Sequence, residues 1–192
     1  MRCLIMSPLL KEFPEYKLNK IIMRKLREED AMSMLNYISN PEVNKYLPDD
    51  AEMNNCEEIK DMIKSINQGF MESNKIRWGI VDKESSKIIG DCGFYKIDLK
   101  NKTGEISYRL SPEFWGQGIM SKVLKQMLSF GFKEIELNRI EASVIPGNKG
   151  SLHILENNGF KKEGVLRDSL FKNNKYYDLI VYSILKRDYF DN

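Results

Sequence analysis

The run Ser111-Pro112-Glu113-Phe114-Trp115-Gly116-Gln117-Gly118-Ile119-Met120-Ser121 sets two glycines, one residue apart, between a β-like segment and an amphipathic helix. The β-like segment is Thr103 to Leu110. The helix is predicted from Ile119, Met120, Val123, Leu124, Met127 and Leu128, apolar pairs that recur every four positions. A strand that turns through glycine into a helix leaves several backbone N–H groups free at the helix start. Together with the positive end of the helix dipole they suit phosphate oxygens. A side chain at either glycine would hold an anion away from the backbone. By themselves, the two glycines read better as the requirement of a tight strand-to-helix turn.

Other chemistries fail on spacing. A dinucleotide fingerprint needs a third glycine where Ser121 stands, and a Walker-type loop needs Gly-Lys-Ser/Thr after the glycines. His153 is the only histidine and no nucleophile elbow accompanies it, so it reads as a helix-surface residue. Cys3, Cys56 and Cys92 form an odd set without paired spacing, which suggests neither disulfides nor a metal site, and fits a reducing, cytoplasmic location.

The elements around the glycines follow from period and punctuation. Residues 1–19, with Pro8 and Pro14, read as an irregular arm, and 20–192 as a single domain. Lys20 to Leu26 reads as a first strand. A helix then begins at Glu28-Glu29-Asp30 and stops at Asn40-Pro41. Ile59, Met62, Ile63, Ile66 and Phe70 mark one face of a second helix. Strands from Ile76, from Ile88 and from Thr103 follow, joined by short polar turns, which implies an antiparallel meander. The helix from Gly118 to about Lys133 and the strand Arg139 to Ile145 complete a crossover that makes a parallel pair. A shorter helix, Asn148 to Asn157, ends at Asn158-Gly159, and strands Lys161 to Phe171 and Lys175 to Leu185 close the chain. The fold class is α+β.

Size and charge bound the remaining possibilities. A chain of 192 residues suits one domain with a sizeable core. Thirty basic and 28 acidic side chains leave +2, which argues against a broad nucleic-acid footprint. The apolar piece Cys3 to Leu10 contains Pro8 and lacks a small-residue cleavage site, so it does not read as a signal peptide. Nothing in the sequence reaches the length of a membrane span.

With the late segment Asn148-Lys149-Gly150-Ser151-Leu152-His153-Ile154-Leu155-Glu156-Asn157-Asn158-Gly159-Phe160, the glycine loop resembles the GNAT superfamily of N-acetyltransferases. It is closest to the Rim branch, which acetylates ribosomal-protein N-termini. The resemblance covers about Ile21 to Leu185 and includes Arg24 to Asp30, Asn40-Pro41-Glu42-Val43 and Gly104-Glu105-Ile106-Ser107-Tyr108. It implies a twisted, mostly antiparallel sheet of about seven strands with helices on both faces. Its central parallel pair would splay to admit acetyl-CoA, the co-substrate.

The resemblance further implies that backbone groups across Trp115, Gly116, Gln117, Gly118, Ile119, Met120 and Ser121 hold the pyrophosphate. The edge at Tyr108, Arg109 and Leu110 would pair with the pantetheine arm, and Asn148 and Ser151 would touch the cofactor. Glu113 replaces the usual Gln or Arg of the signature, which puts the grip on the backbone. The acceptor amine must lose a proton. Glu105 is the candidate base, with Glu72 and Asp91 as weaker ones; Glu105 reads equally as a solvent-facing carboxylate. Ser151 is the candidate donor to the leaving thiolate, and Asn148 or Ser151 reads also as a helix cap. Direct transfer to a primary amine is expected, with a protein N-terminus as the leading acceptor. A small-molecule amine and a non-catalytic coenzyme A-binding module remain alternatives. No metal, nucleic-acid or membrane partner is expected, and the oligomer is a monomer or homodimer.

Overall fold

The computed structural model describes residues 10–48 and 52–191. The apolar piece that starts at Cys3 therefore lies mostly outside the described residues, and the arm is seen only from Leu10.

In chain order the elements are β1 (Tyr16–Lys17), β2 (Ile21–Lys25), α1 (Ala31–Ile38), α2 (Pro41–Asn44), α3 (Cys56–Met71), β3 (Ile76–Asp82), β4 (Ile88–Asp98), β5 (Thr103–Leu110), α4 (Ile119–Ser129), β6 (Arg139–Val144), α5 (Lys149–Asn157), β7 (Lys161–Lys172), β8 (Lys175–Leu185) and α6 (Lys186–Phe190). They form one sheet in the order β1-β2-β3-β4-β5-β6-β8-β7. Every neighbouring pair is antiparallel except β5 and β6. The strand beyond the seven expected is β1, two residues of the arm paired to β2 through Tyr16↔Met23 and Lys17↔Ile22.

That edge is held by aromatic packing. Phe13 lies 5.0 Å from Phe70 and 5.9 Å from Trp78 between ring centroids, and the Trp78 indole donates to the Pro14 carbonyl at 2.8 Å. A fully buried indole needs such a partner, and the arm supplies it.

Side chains alternate across the strands and sort two cores. On one face Trp78, Phe94 and Ile106 pack with Val123, Leu124 and Met127 of α4 and Leu155 of α5. On the other, Val81 and Ile88 pack with Met34, Tyr37 and Ile38 of α1 and with Ile59 and Ile63 of α3. All six apolar positions that mark α4 in the sequence are buried. The α4 helix ends at Ser129, and the rest of the stretch expected to be helical to about Lys133 widens to a π turn over Phe130–Glu134. There a methyl on Gly131 would come within 2.7 Å of Ile140 and 3.0 Å of Phe94.

Candidate active site

The sheet forks at its parallel pair. Pairing runs Thr103↔Arg139, Gly104↔Ile140 and Glu105↔Glu141 and stops, although β5 continues to Leu110 and β6 to Val144. From Ile106 onward β5 therefore presents backbone N–H and C=O groups with no strand on that side. A cavity of about 750 Å³ opens along the fork, with Ser107, Tyr108 and Arg109 on one wall and Ser143 and Ile145 on the other. Tyr46, Met62 and Leu179 also line it.

At the far end of β5 the chain makes a single 3₁₀ turn, Pro112–Phe114, and enters α4. Gly116 and Gly118 adopt φ of 72° and 69°, the left-handed region, and Gly118 is the residue that caps α4. No side chain bonds to the amides of that cap. The loop is fastened from below instead: the Trp115 indole donates to the Leu110 carbonyl at 2.8 Å, and Gln117 Nε2 to the Glu113 carbonyl at 3.0 Å. A methyl built on either glycine meets nothing within 4 Å. The cradle is open, as an anion-binding turn requires.

Asn148 caps α5, its side chain accepting from the Ser151 amide at 3.1 Å. The capping reading of Asn148 is thus realised, and it leaves the Ser151 hydroxyl unspent. Ser121, in the first turn of α4, takes a 3.4 Å contact from Asn158 Nδ2 at the end of α5. The two helix ends are tied together there.

Tyr108 points to this same side. Its hydroxyl is buried and lacks a hydrogen-bond partner. Burial pushes its pKa up to about 12, while the Ser151 side chain draws it slightly back. The two hydroxyls thus face one another without closing a hydrogen bond. An orphaned buried hydroxyl and an unpaired strand edge on β5 are followed in the chain by an open glycine cradle, a set of features that suits a long substrate with a phosphate end and an amide-bearing arm.

The opposite face of β5 carries different chemistry. Asp91 is fully buried and accepts from Arg109 Nε at 3.0 Å, Arg109 Nη2 at 3.3 Å, the Tyr37 hydroxyl at 2.8 Å and Arg77. Burial, which alone would raise its pKa, is outweighed by the two guanidinium groups, and its carboxyl stays below the usual range. So enclosed and so paired, Asp91 is poorly placed to take a proton from an acceptor. The Arg109 side chain points away from the glycine loop, so only its backbone lies on the edge expected to meet the pantetheine arm.

Glu105 lies at the fork point, its side chain 29% exposed. Its carboxylate pairs with Lys96 at 2.8 Å and accepts from the Tyr95 hydroxyl at 2.6 Å. Burial raises its pKa, but the hydrogen bonds from Lys96 and Tyr95 prevail and hold it below the ordinary value. Tyr95 lines the cavity and Glu105 stands directly behind it. Glu72 follows α3 and accepts from Gln68 and Asn74, away from the cavity lining. His153 is exposed beside Asn157, as a helix-surface residue should be. Among the described residues no group of three or more His, Cys, Asp or Glu could hold a metal, and no helix is long and apolar enough to cross a membrane.

Arg77, Tyr37 and Tyr95 were not singled out from the sequence. For Arg77 the one available signal is a charged residue beside Trp78 in an otherwise apolar strand.

A sheet forked at a parallel pair, with a glycine turn and helix start beyond the end of β5, is the architecture that the resemblance to N-acetyltransferases implies. The chain belongs to the GNAT acetyltransferase family, whose domain model matches residues 20–161. It is 38% identical over 170 residues to the uncharacterized N-acetyltransferase p20 of Bacillus licheniformis, across 88% of this chain and 95% of that protein. It is 33% identical over 100 residues to the ribosomal-protein-serine acetyltransferase of Escherichia coli K12, across 52% of this chain and 56% of that one. The microcin C7 self-immunity acetyltransferase MccE, solved with acetyl-CoA and AMP, matches with a TM-score of 0.78 at 26% identity, over 88% of this chain and 93% of its own.

Proposed function

We propose that the protein moves the acetyl group of acetyl-CoA to a protein N-terminal α-amine by direct transfer in a ternary complex. The observation that carries this reading is the fork. It opens a cavity of about 750 Å³ between β5 and β6, large enough for the head of a peptide, and β5 leads on to the open glycine cradle. The similarity to a ribosomal-protein-serine acetyltransferase supports the acceptor class.

Acetyl-CoA would supply an acetyl thioester. Backbone amides from Trp115 to Ser121 would hold its pyrophosphate, and the free edge at Tyr108, Arg109 and Leu110 its amide-bearing arm, with Asn148 and Ser151 beside it. Glu105 is assigned the proton of the acceptor amine, through a water or the Tyr95 hydroxyl. Ser151 is assigned the proton delivered at the leaving sulfur.

Thiol release from acetyl-CoA tests the assignment, with peptides bearing small N-terminal residues, the same peptides N-blocked, spermidine and an aminoglycoside as acceptors. Release confined to the unblocked peptides is expected. Release with the small amines alone would overturn the protein-acceptor reading. No release with any of them, once cofactor binding is confirmed, would overturn catalysis on primary amines.

A further inference from the structure

The floor of the cavity carries unequal charge. Arg77 and Arg109 share one carboxylate, Asp91, which also accepts from the Tyr37 hydroxyl. The side chains of Arg77 and Arg109 are 12% and 7% exposed and that of Asp91 is 0%. Two cations against one anion leave a surplus positive charge where little water reaches to screen it, and such a charge calls for a counter-charge. Among the described residues no second carboxylate pairs with either guanidinium. Arg109 spends Nε and Nη2 on Asp91, its only other contact is the weak acceptor Met62 Sδ at 3.5 Å, and its Nη1 makes no bond among the described residues. Arg77 uses Nη1 on the Ser107 hydroxyl at 2.8 Å, which leaves that hydroxyl's own proton to donate. Arg77, Ser107 and Arg109 all line the cavity.

The two described carboxylates that line the same cavity, Glu58 and Asp61 of α3, are exposed, so water screens their charge. Glu58 accepts from the Asn54 amide at 2.9 Å and from Asn55 Nδ2 at 2.8 Å, at the start of α3. Asp61 is 76% exposed and pairs with Lys64 at 3.4 Å. Lys75, another lining residue, adds a further positive charge to the wall.

We infer that the acceptor carries a carboxylate close to its reacting amine, bound at Arg109 and the Ser107 hydroxyl with Arg77 beside them. The planar fork of a guanidinium and a hydroxyl donor match the two oxygens of a carboxylate. Two sources present this chemistry: an Asp or Glu side chain at the head of a peptide, or the α-carboxylate of a free amino acid. The inference rests on the amine-acetyltransferase reading and narrows its acceptor. It also disfavours polycations, which would meet the surplus charge with their own.

The test measures kcat/KM of the full-length enzyme at saturating acetyl-CoA on matched acceptors. Peptides beginning Asp or Glu are set against Asn or Gln, peptides with Asp second against Asn second, and free serine against serinamide. The acid member of at least one pair should be favoured by about tenfold or more, the equivalent of one charge-assisted hydrogen bond. Preference among the peptides assigns the carboxylate to a side chain, and preference for serine assigns it to an α-carboxylate. Arg109→Met should narrow the favoured pair to about threefold or less. Should that variant not fold, the wild-type pairs decide alone. Acid and amide acetylated equally in every pair overturns this inference and leaves the acetyltransferase reading intact. Acetylation confined to spermidine overturns both this inference and the protein-acceptor reading.

Discussion

Gly116 and Gly118 offer a direct test of how the chain grips acetyl-CoA. Both lie in the left-handed region, and a methyl on either would touch nothing within 4 Å. Crowding therefore does not demand glycine there; backbone conformation and whatever approaches the backbone do. An alanine held in that region costs about 1–2 kcal/mol. In a chain of this size each kcal/mol lowers the melting temperature by about 2–4 °C. Gly159, at φ 85° just beyond α5, bears comparable strain with only an ordinary 3.4 Å contact to Ile184. Gly159→Ala is thus the control for strain alone.

In Gly116→Ala and Gly118→Ala the new methyl stands where a pyrophosphate would approach the amides. Losing one charge-assisted hydrogen bond, about 1.5–3 kcal/mol, weakens binding about 10- to 100-fold. Calorimetric titration with acetyl-CoA and with S-acetylpantetheine, alongside thermal melts, separates the effects. The loop variants should lose acetyl-CoA affinity by that factor, Gly159→Ala should lose only melting temperature, and S-acetylpantetheine should bind all of them alike. Asparagine tolerates the left-handed region, so Gly118→Asn should recover stability while still binding acetyl-CoA poorly. Acetyl-CoA affinity within about twofold of wild type in every loop variant would refute the reasoning. An equal loss of affinity in Gly159→Ala would refute it as well.

Ser151→Ala should lower kcat by about 10²-fold or more, with a smaller change in the KM for acetyl-CoA, in steady-state assays. Tyr108→Phe deletes a buried hydroxyl that lacks a partner, so the melting temperature should hold or rise; a fall of several degrees would show that the hydroxyl is satisfied. Glu105 is held below the usual carboxylate range, so the rate from pH 6 to 9 should follow only the acceptor amine, near pH 8 for an α-amine. Glu105→Gln should lower kcat without reshaping that profile, and an inflection near pH 6 that vanishes in the variant would contradict the assignment. Asp91 has a folded-state pKa below its unfolded value, so its contribution is complete above about pH 4 and is lost as pH falls through the lower folded value. Asp91→Asn should cost about 3–5 kcal/mol in denaturant unfolding at pH 7, because two buried guanidinium groups lose their counter-charge, and should flatten the acid limb of the stability profile.

Local signals made part of this molecule legible. The six apolar positions of α4 announce its buried face, the glycines announce the turn, and Asn148 announces a cap. In each case the cause lies within a few residues of the effect. The two residues of β1 are too short to show any period, and their place follows from Trp78 needing a carbonyl for its indole. The environment of Glu105 was hidden for a different reason. A register shift between Phe94 and Lys96 brings both Tyr95 and Lys96 onto the one carboxylate, and a bulge of that kind leaves no mark in composition. The Arg77–Asp91–Arg109 network is hidden likewise. Its members come from three strands, and only the pairing of Asp91 with Arg109 across β4 and β5 brings their charges together.

Two consecutive residues of β5 make the division of labour concrete. Tyr108 turns its hydroxyl towards Ser151 and the helix starts, on the side where an anion can be held. Arg109 turns its guanidinium the other way, onto Asp91 and into the cavity. A strand must alternate in this manner. A chain that gives up its pairing at this point therefore exposes two unlike faces and a gap between them. Under the proposed function a thioester reaching through the gap would have a proton donor on the side it came from and a bound amine on the side it enters. Sliding β5 by one residue in its pairing with β4 would exchange those faces, turning the guanidinium towards the helix starts and the phenol towards Asp91. The register of β5 on β4 is accordingly as much a determinant of the proposed chemistry as the side chains themselves.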